Sequence, residues 1–180
     1  LAAGRFIAVV GPSGAGKDSL IAAARDRLGA DGPIRFVRRA ITRPADAGGE
    51  DHRALSEAAF TETAARGGFV LHWAAHGLRY GIPADVLDDL AAGRSVLANL
   101  SRGAIPDVRS RFPNRRIILV TASPDVLAAR LADRGRETAR EIAARLARAP
   151  PHMPDGPDVV TVVNDGALED GARAFLDAIG

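Results

Sequence analysis

The chain has 180 residues, 47% of them hydrophobic and 26% charged, with no cysteine. That is the size of one ordinary domain with a real core, and it excludes a disordered tail, a collagen-like repeat, a disulfide framework, a thiolate metal site and a cysteine nucleophile. The formal net charge is only +2 although the pI is near 9.9, because every basic residue except Lys17 is an arginine, which hardly titrates.

Aromatic residues make up 4% of the chain, too few to stack single-stranded bases, so no nucleic-acid partner is expected. No apolar run reaches the length of about 18 residues that a membrane span needs, so no membrane partner is expected either. Leu1-Ala2-Ala3-Gly4 leads straight into a strand and lacks the apolar core of a secretory signal, which predicts a cytoplasmic protein. The oligomeric state is not encoded in any local pattern, and a homodimer stays open.

In chain order, Arg5 to Val10 is a nearly continuous apolar run, as a strand covered on both faces would be. A glycine-rich turn follows, and Lys17 to Leu28 predicts a helix stopped by Gly29. Ile34 to Ile41 reads as a second strand, and the breaker-rich stretch Thr42 to Asp51 as a loop. Ser56 can cap a helix over Glu57 to Arg66, which Gly67-Gly68 would end. Phe69 to Ala74 predicts a strand and Ala84 to Ala92 a short helix. Ser95 to Leu100 and Arg116 to Val120 read as buried strands, and Ser123-Pro124 as an N-cap and first helical residue of a helix to about Ala132. Another helix is expected over Glu137 to Ala147, a last strand over Val159 to Val163, and a closing helix over Ala167 to Ile179. Strands alternating with helices predict an α/β domain with a mostly parallel sheet, interrupted by an insertion at about 38–81.

Gly11-Pro12-Ser13-Gly14-Ala15-Gly16-Lys17 fits the G-x-x-x-x-G-K phosphate-binding loop, directly after a predicted strand and before a predicted helix. Glycines let the backbone wrap a polyphosphate, the helix start adds its positive dipole end, and the lysine reaches the outer phosphates. The pattern normally continues with Ser or Thr to hold Mg²⁺; here Asp18 stands there and Ser19 follows. Asp18 is read in two ways, as a first-turn acid favoured by the helix dipole or as an oxygen ligand to Mg²⁺.

Arg130, Arg134, Arg136, Arg140, Arg145 and Arg148 lie on a predicted helix–loop–helix at about 130–148. An arginine lid closing over transferring phosphates would exclude water and stabilise developing charge. Arg134 and Arg145 are expected in that role, and the others are equally well read as a solvated face. Arg38, Arg39, Thr42 and Arg43, with Arg79 and Tyr80 further on, suit an anionic acceptor, because guanidinium binds phosphate in a bidentate manner. His52, His72, His76 and His152 show no metal-ligand spacing, and His72 and His76 are expected on a strand and a turn.

Over nearly its full length the chain resembles the guanylate kinase-like family of P-loop kinases. The resemblance rests on the Gly11–Lys17 loop, Thr42-Arg43, Gly49-Glu50-Asp51, Tyr80-Gly81, Arg134 before Glu137, and Arg145-Leu146. Within that family it is most similar to the ribose 1,5-bisphosphate phosphokinases of bacterial phosphonate breakdown, through Gly16-Lys17-Asp18-Ser19, Ile41 to Glu50, His72-Trp73-Ala74-Ala75-His76-Gly77-Leu78 and Arg134-Gly135-Arg136-Glu137.

The resemblance implies a three-layer fold with an acceptor-binding insertion and an arginine lid. It implies ATP and Mg²⁺ as cofactors and a small sugar bisphosphate as acceptor, converted to 5-phosphoribosyl 1-diphosphate. Lys17, Arg134 and Arg145 would screen charge, and Arg39, Arg43, Tyr80, Asn99 and Arg102 would hold the acceptor. Guanylate kinases read guanine with an acid where this chain has Leu71, and leucine accepts no hydrogen bond. Losing that contact while keeping arginines suits a phosphorylated acceptor without a base. Such an acceptor is already ionised near neutral pH, so no essential catalytic base is expected. A guanylate kinase proper and a protein-binding scaffold that has lost turnover are the alternatives.

Overall fold

The computed structural model describes residues 3–135, 138–147 and 153–180, with the backbone alone for 145–147. The apolar run Phe6–Val10 forms the central strand, β1, buried at every position. Period-two alternation divides it between two cores. Phe6, Ala8 and Val10 enter one, and Ile7 and Val9 the other.

β1 pairs in parallel with β7 (Ser95–Asn99) on one side and with β8 (Arg115–Thr121) on the other. β2 (Ile34–Phe36) and β9 (Val159–Val163) complete a five-stranded parallel sheet of order β2-β7-β1-β8-β9. On the Ile7 face Leu20 and Ala24 of α1 (Lys17–Leu28), Leu127 of α5 (Pro124–Asp133) and Phe175 of α7 (Leu168–Ile179) fill the core. On the Phe6 face Val86 of α3 (Val86–Ala91) joins Ile105 and Val108 of α4 (Ile105–Arg111), and Phe6 stacks on Phe112 at 4.0 Å. Helices therefore cover both faces of a parallel sheet, the α/β domain that the alternation predicts and the three-layer fold that the resemblance implies.

The expected strand over Ile34 to Ile41 is two strands in two sheets. β2 ends at Phe36, and β3 (Ala40–Ile41) belongs to a second sheet of order β4-β3-β6-β5, with β4 at Arg53–Ala54, β5 at Phe69–Ala75 and β6 at Leu78–Pro83. β5 and β6 are antiparallel and joined through His76-Gly77, both at positive φ (52° and 72°), the twist that a two-residue hairpin demands. α2 (Glu57–Ala65) is capped as predicted, the Ala59 N–H donating to Ser56 Oγ at 3.1 Å. It buries Phe60 against Phe69, while Leu71 and Ile82 join the core of the main sheet.

Ser123 does not cap α5 with its side chain; its backbone N–H donates to Asp165 Oδ1 at 2.6 Å instead. α6 spans Ala139–Ala147 and is capped reciprocally by Thr138 and Glu141. Its expected start at Glu137 lies outside the described residues, as do Arg136, Arg148 and His152. No helix among the described residues is long and apolar enough to cross a membrane.

Candidate active site

The phosphate loop leaves the C-terminal end of β1 and runs into α1, the point at which a parallel α/β sheet binds ligands. Gly11 is forced by close approach, since a Cβ there would collide with the Val120 carbonyl. Gly14 and Gly16 hold positive φ (88° and 90°), which L side chains rarely adopt.

Four loop carbonyls are engaged by side chains. Lys17 Nζ donates to Gly11 O at 2.7 Å and to Pro12 O at 3.2 Å. Arg130 Nη1 donates to Gly14 O and Ala15 O, both at 3.3 Å, and Asn164 Nδ2 to Ala15 O at 2.8 Å. Arg130 Nη2 also donates to Asn164 O at 2.7 Å. Arg130 thus braces the loop from α5, although the sequence sets it at the start of the lid.

Asn164 is a site residue that the sequence reading missed. It follows β9, is 4% exposed, and packs so tightly between Gly16 and Gly171 that a Cβ at either position would strike its amide. Asn164→Ala is expected to destabilise the fold by about 1–3 kcal/mol, because it removes the shorter of the two hydrogen bonds to Ala15 O and leaves a gap between Gly16 and Gly171, and to raise the KM for nucleotide. Thermal melts and steady-state rates check both.

The Lys17 ammonium is pushed down to about 8, chiefly by burial, with Asp18 opposing the shift and the charges of Arg39, Arg102 and Arg134 adding to it. Those three arginines come from the second sheet, the turn after β7 and the end of α5. The fold gathers them into one positive field around the loop lysine. Asp18 accepts from Asn99 Nδ2 at 3.1 Å, so Asn99, expected at a sugar hydroxyl, has that amide directed to the carboxylate. Ser13, Asp18 and Ser19 are exposed, while Pro12 at the rim is half-buried. The side chain of Arg145 lies outside the described residues.

On the acceptor side the arginines behave differently from one another. Arg39, 7% exposed, is committed to Glu50, its Nε donating to Oε2 at 3.0 Å and its Nη2 to Oε1, and its guanidinium lies 4.9 Å from the Tyr80 ring centroid. It is a buried charge under the site, paired with a carboxylate. Arg43 keeps a buried Nε without an acceptor. Its loop is clamped by His52, whose Nε2 lies 3.0 Å from Arg43 O and whose Nδ1 lies 3.0 Å from Glu50 O and 3.3 Å from Arg43 Nη2. Burial lowers the Arg102 pKa, and its Nη1 lies 3.3 Å from Met153 Sδ. Tyr80 is stacked on Trp73.

The carboxylates nearby are taken as well. Glu50 pairs with Arg39, Asp51 with Arg38 and Glu57 with Arg79. Glu50, His52 and Trp73 were not assigned roles from sequence; the signal available was the Gly49-Glu50-Asp51-His52 run, which carries no local chemistry of its own.

A family model described as guanylate kinase matches residues 3–179. The chain belongs to the guanylate kinase family. It is 50% identical over 173 residues to a Brucella melitensis protein called ribose 1,5-bisphosphate phosphokinase PhnN, covering 96% of this chain and 90% of that one. It is also 50% identical over 179 residues to the bifunctional ribose 1,5-bisphosphokinase-thymidine phosphorylase of Azorhizobium caulinodans, covering 99% of this chain but only 26% of that larger protein. Among solved structures, the guanylate kinase of Anaplasma phagocytophilum superposes with a TM-score of 0.68 at 17% identity, over 99% of this chain and 86% of that one. That likeness carries the fold alone.

Proposed function

We propose that this guanylate kinase family member transfers the γ-phosphoryl group of ATP to the 1-phosphate of ribose 1,5-bisphosphate, yielding 5-phosphoribosyl 1-diphosphate and ADP in the cytoplasm. Relatives of half-identical sequence carry the name of that activity. The observation that favours it over a guanine acceptor is the state of the carboxylates. Glu50, Asp51 and Glu57 are all ion-paired, and Leu71 is buried where the family reads guanine. The buried, unpartnered Nε of Arg43 is a cationic donor that a phosphate would satisfy.

In the reaction an oxygen of the ionised 1-phosphate attacks the γ-phosphorus, and the bond to the β–γ bridging oxygen breaks with its electrons leaving on ADP. No proton need move in that step, so the chain supplies position and charge and no base. Lys17 and Arg134, with Arg145 from α6, would screen the γ-phosphate. Arg43 and Arg102 would grip the acceptor, with Tyr80 walling it and Asn99 steering Asp18.

Among the described residues no group of three or more His, Cys, Asp or Glu could hold a metal, which suits Mg²⁺, a cation that keeps most of its waters and needs few protein ligands. Asp18 and Ser19 would hold it beside the phosphates, where it supplies charge neutralisation. Coupled ADP release with Mg·ATP, offering ribose 1,5-bisphosphate and GMP in parallel, tests the reading. The sugar is expected to turn over to a diphosphate visible by phosphorus NMR, with GMP inert; turnover of GMP alone would overturn it.

A further inference from the structure

Trp73 lies on β5 opposite Tyr80 of β6, and the two rings stack at 5.5 Å with an interplanar angle of 9°. The indole N–H donates to Ser101 Oγ at 2.8 Å, in the turn that follows β7. Both neighbours touch the candidate site. Tyr80 carries the Arg39 guanidinium near its ring, and Ser101 stands between Asn99, which holds Asp18, and Arg102. The indole therefore sits on the acceptor side, among the cations that reach Lys17.

A nucleoside monophosphate that set its phosphate on these cations would need a flat surface for its base and a polar group to meet the base edge. The flat surface present is Tyr80, and the chain has covered it with a ring of its own. The polar group at the edge of that ring, Ser101 Oγ, is already an acceptor for the indole N–H.

We propose that the Trp73 indole fills the ring slot of the acceptor side and so excludes nucleoside monophosphates, leaving room for phosphorylated sugars that carry no base. This rests on the acceptor reading above. Trp73 is a specificity residue with no contact to the reacting atoms, held by stacking on one side and a hydrogen bond on the other.

Trp73 is the chain's only tryptophan, so its fluorescence reports on this slot alone. In the intact protein ribose 1,5-bisphosphate is expected to change that fluorescence, and GMP to leave it unchanged. Trp73→Gly should bind GMP about tenfold or more tighter than the intact chain by calorimetry, the worth of one ring on an aromatic platform. Free indole should compete with that GMP, since both would occupy the slot that Trp73 has vacated, whereas a purely structural tryptophan would leave GMP affinity unmoved by its loss. If Trp73→Gly does not fold by circular dichroism, Trp73→Leu keeps an apolar side chain against the core and carries the same GMP measurement.

A folded variant that gains no GMP affinity overturns the proposal even where the intact chain turns over the sugar, so the acceptor reading survives that result. An intact chain that binds GMP as tightly as the variant overturns both. An intact chain inert to the sugar, whose variant gains GMP, supports the filter and overturns the acceptor reading.

Discussion

Lys17→Met is expected to lower turnover by about a thousandfold or more and, in the same protein without nucleotide, to raise the melting temperature. The two effects have one cause. The ammonium is held half-buried against the Gly11 and Pro12 carbonyls with the charges of three arginines acting on it, and burial has brought its pKa from the ordinary 10.5 to about 8. Placing a charge there opposes folding so that a polyphosphate, once bound, finds the charge already in position. Between pH 8 and 10.5 the unfolded chain binds the proton that the folded chain has lost. Stability attributable to this group therefore rises with pH across that window and is lowest below it. Methionine removes the charge at every pH, which predicts a gain of about 1–3 kcal/mol near pH 7 that shrinks towards pH 10. Thermal melts of both proteins from pH 7 to 10 check the sign. A variant that melts below the intact chain at pH 7 would mean that the two carbonyl hydrogen bonds outweigh the burial.

What could be read in the sequence divides along the range of the interactions involved. α1 starts at Lys17 and ends at Leu28 as predicted, because Gly16 and Gly29 punctuate it locally. β9 and α2 were legible for the same reason, an apolar run between breakers and a serine cap. The phosphate loop needed nothing beyond its own seven residues and their neighbours. Ile34 to Ile41 failed because its apolar residues, Ile34, Phe36, Val37, Ala40 and Ile41, were joined across Arg38-Arg39, where the chain crosses from one sheet to another, and periodicity says nothing about which sheet a strand joins. β6 was hidden by Arg79 and Tyr80, polar or amphipathic residues whose partners are Thr61, Thr42 and Trp73. Asn164 was out of reach altogether. Its value lies in meeting Ala15, which is 149 positions away in sequence. The Arg39–Glu50 pair was unread as well, because no local pattern names one residue as the partner of the other.

That last pair predicts the second large effect. Glu50→Ala is expected to destabilise the fold by about 3–5 kcal/mol, because it leaves the Arg39 guanidinium buried with its carboxylate gone. The Arg39 side chain is 8% exposed and that of Glu50 20%, so water can restore little of the lost charge balance. Cation–π contact with Tyr80 remains, worth about 2 kcal/mol when desolvated, too small to compensate. Replacing both partners with apolar residues of similar length, Arg39→Met with Glu50→Met, removes the uncompensated charge and should recover most of the stability. Turnover should not recover with it. The Arg39 charge acts on Lys17 from beneath Tyr80, so the double variant should melt near the intact chain, show a Lys17 pKa nearer its ordinary value, and lose acceptor affinity by about tenfold. Melts, a pH–rate profile and the acceptor KM separate these. A double variant that recovers both stability and acceptor KM would make the pair a purely structural tie between β3 and the loop before β4, and the positive field around Lys17 would then owe its function to Arg102 and Arg134.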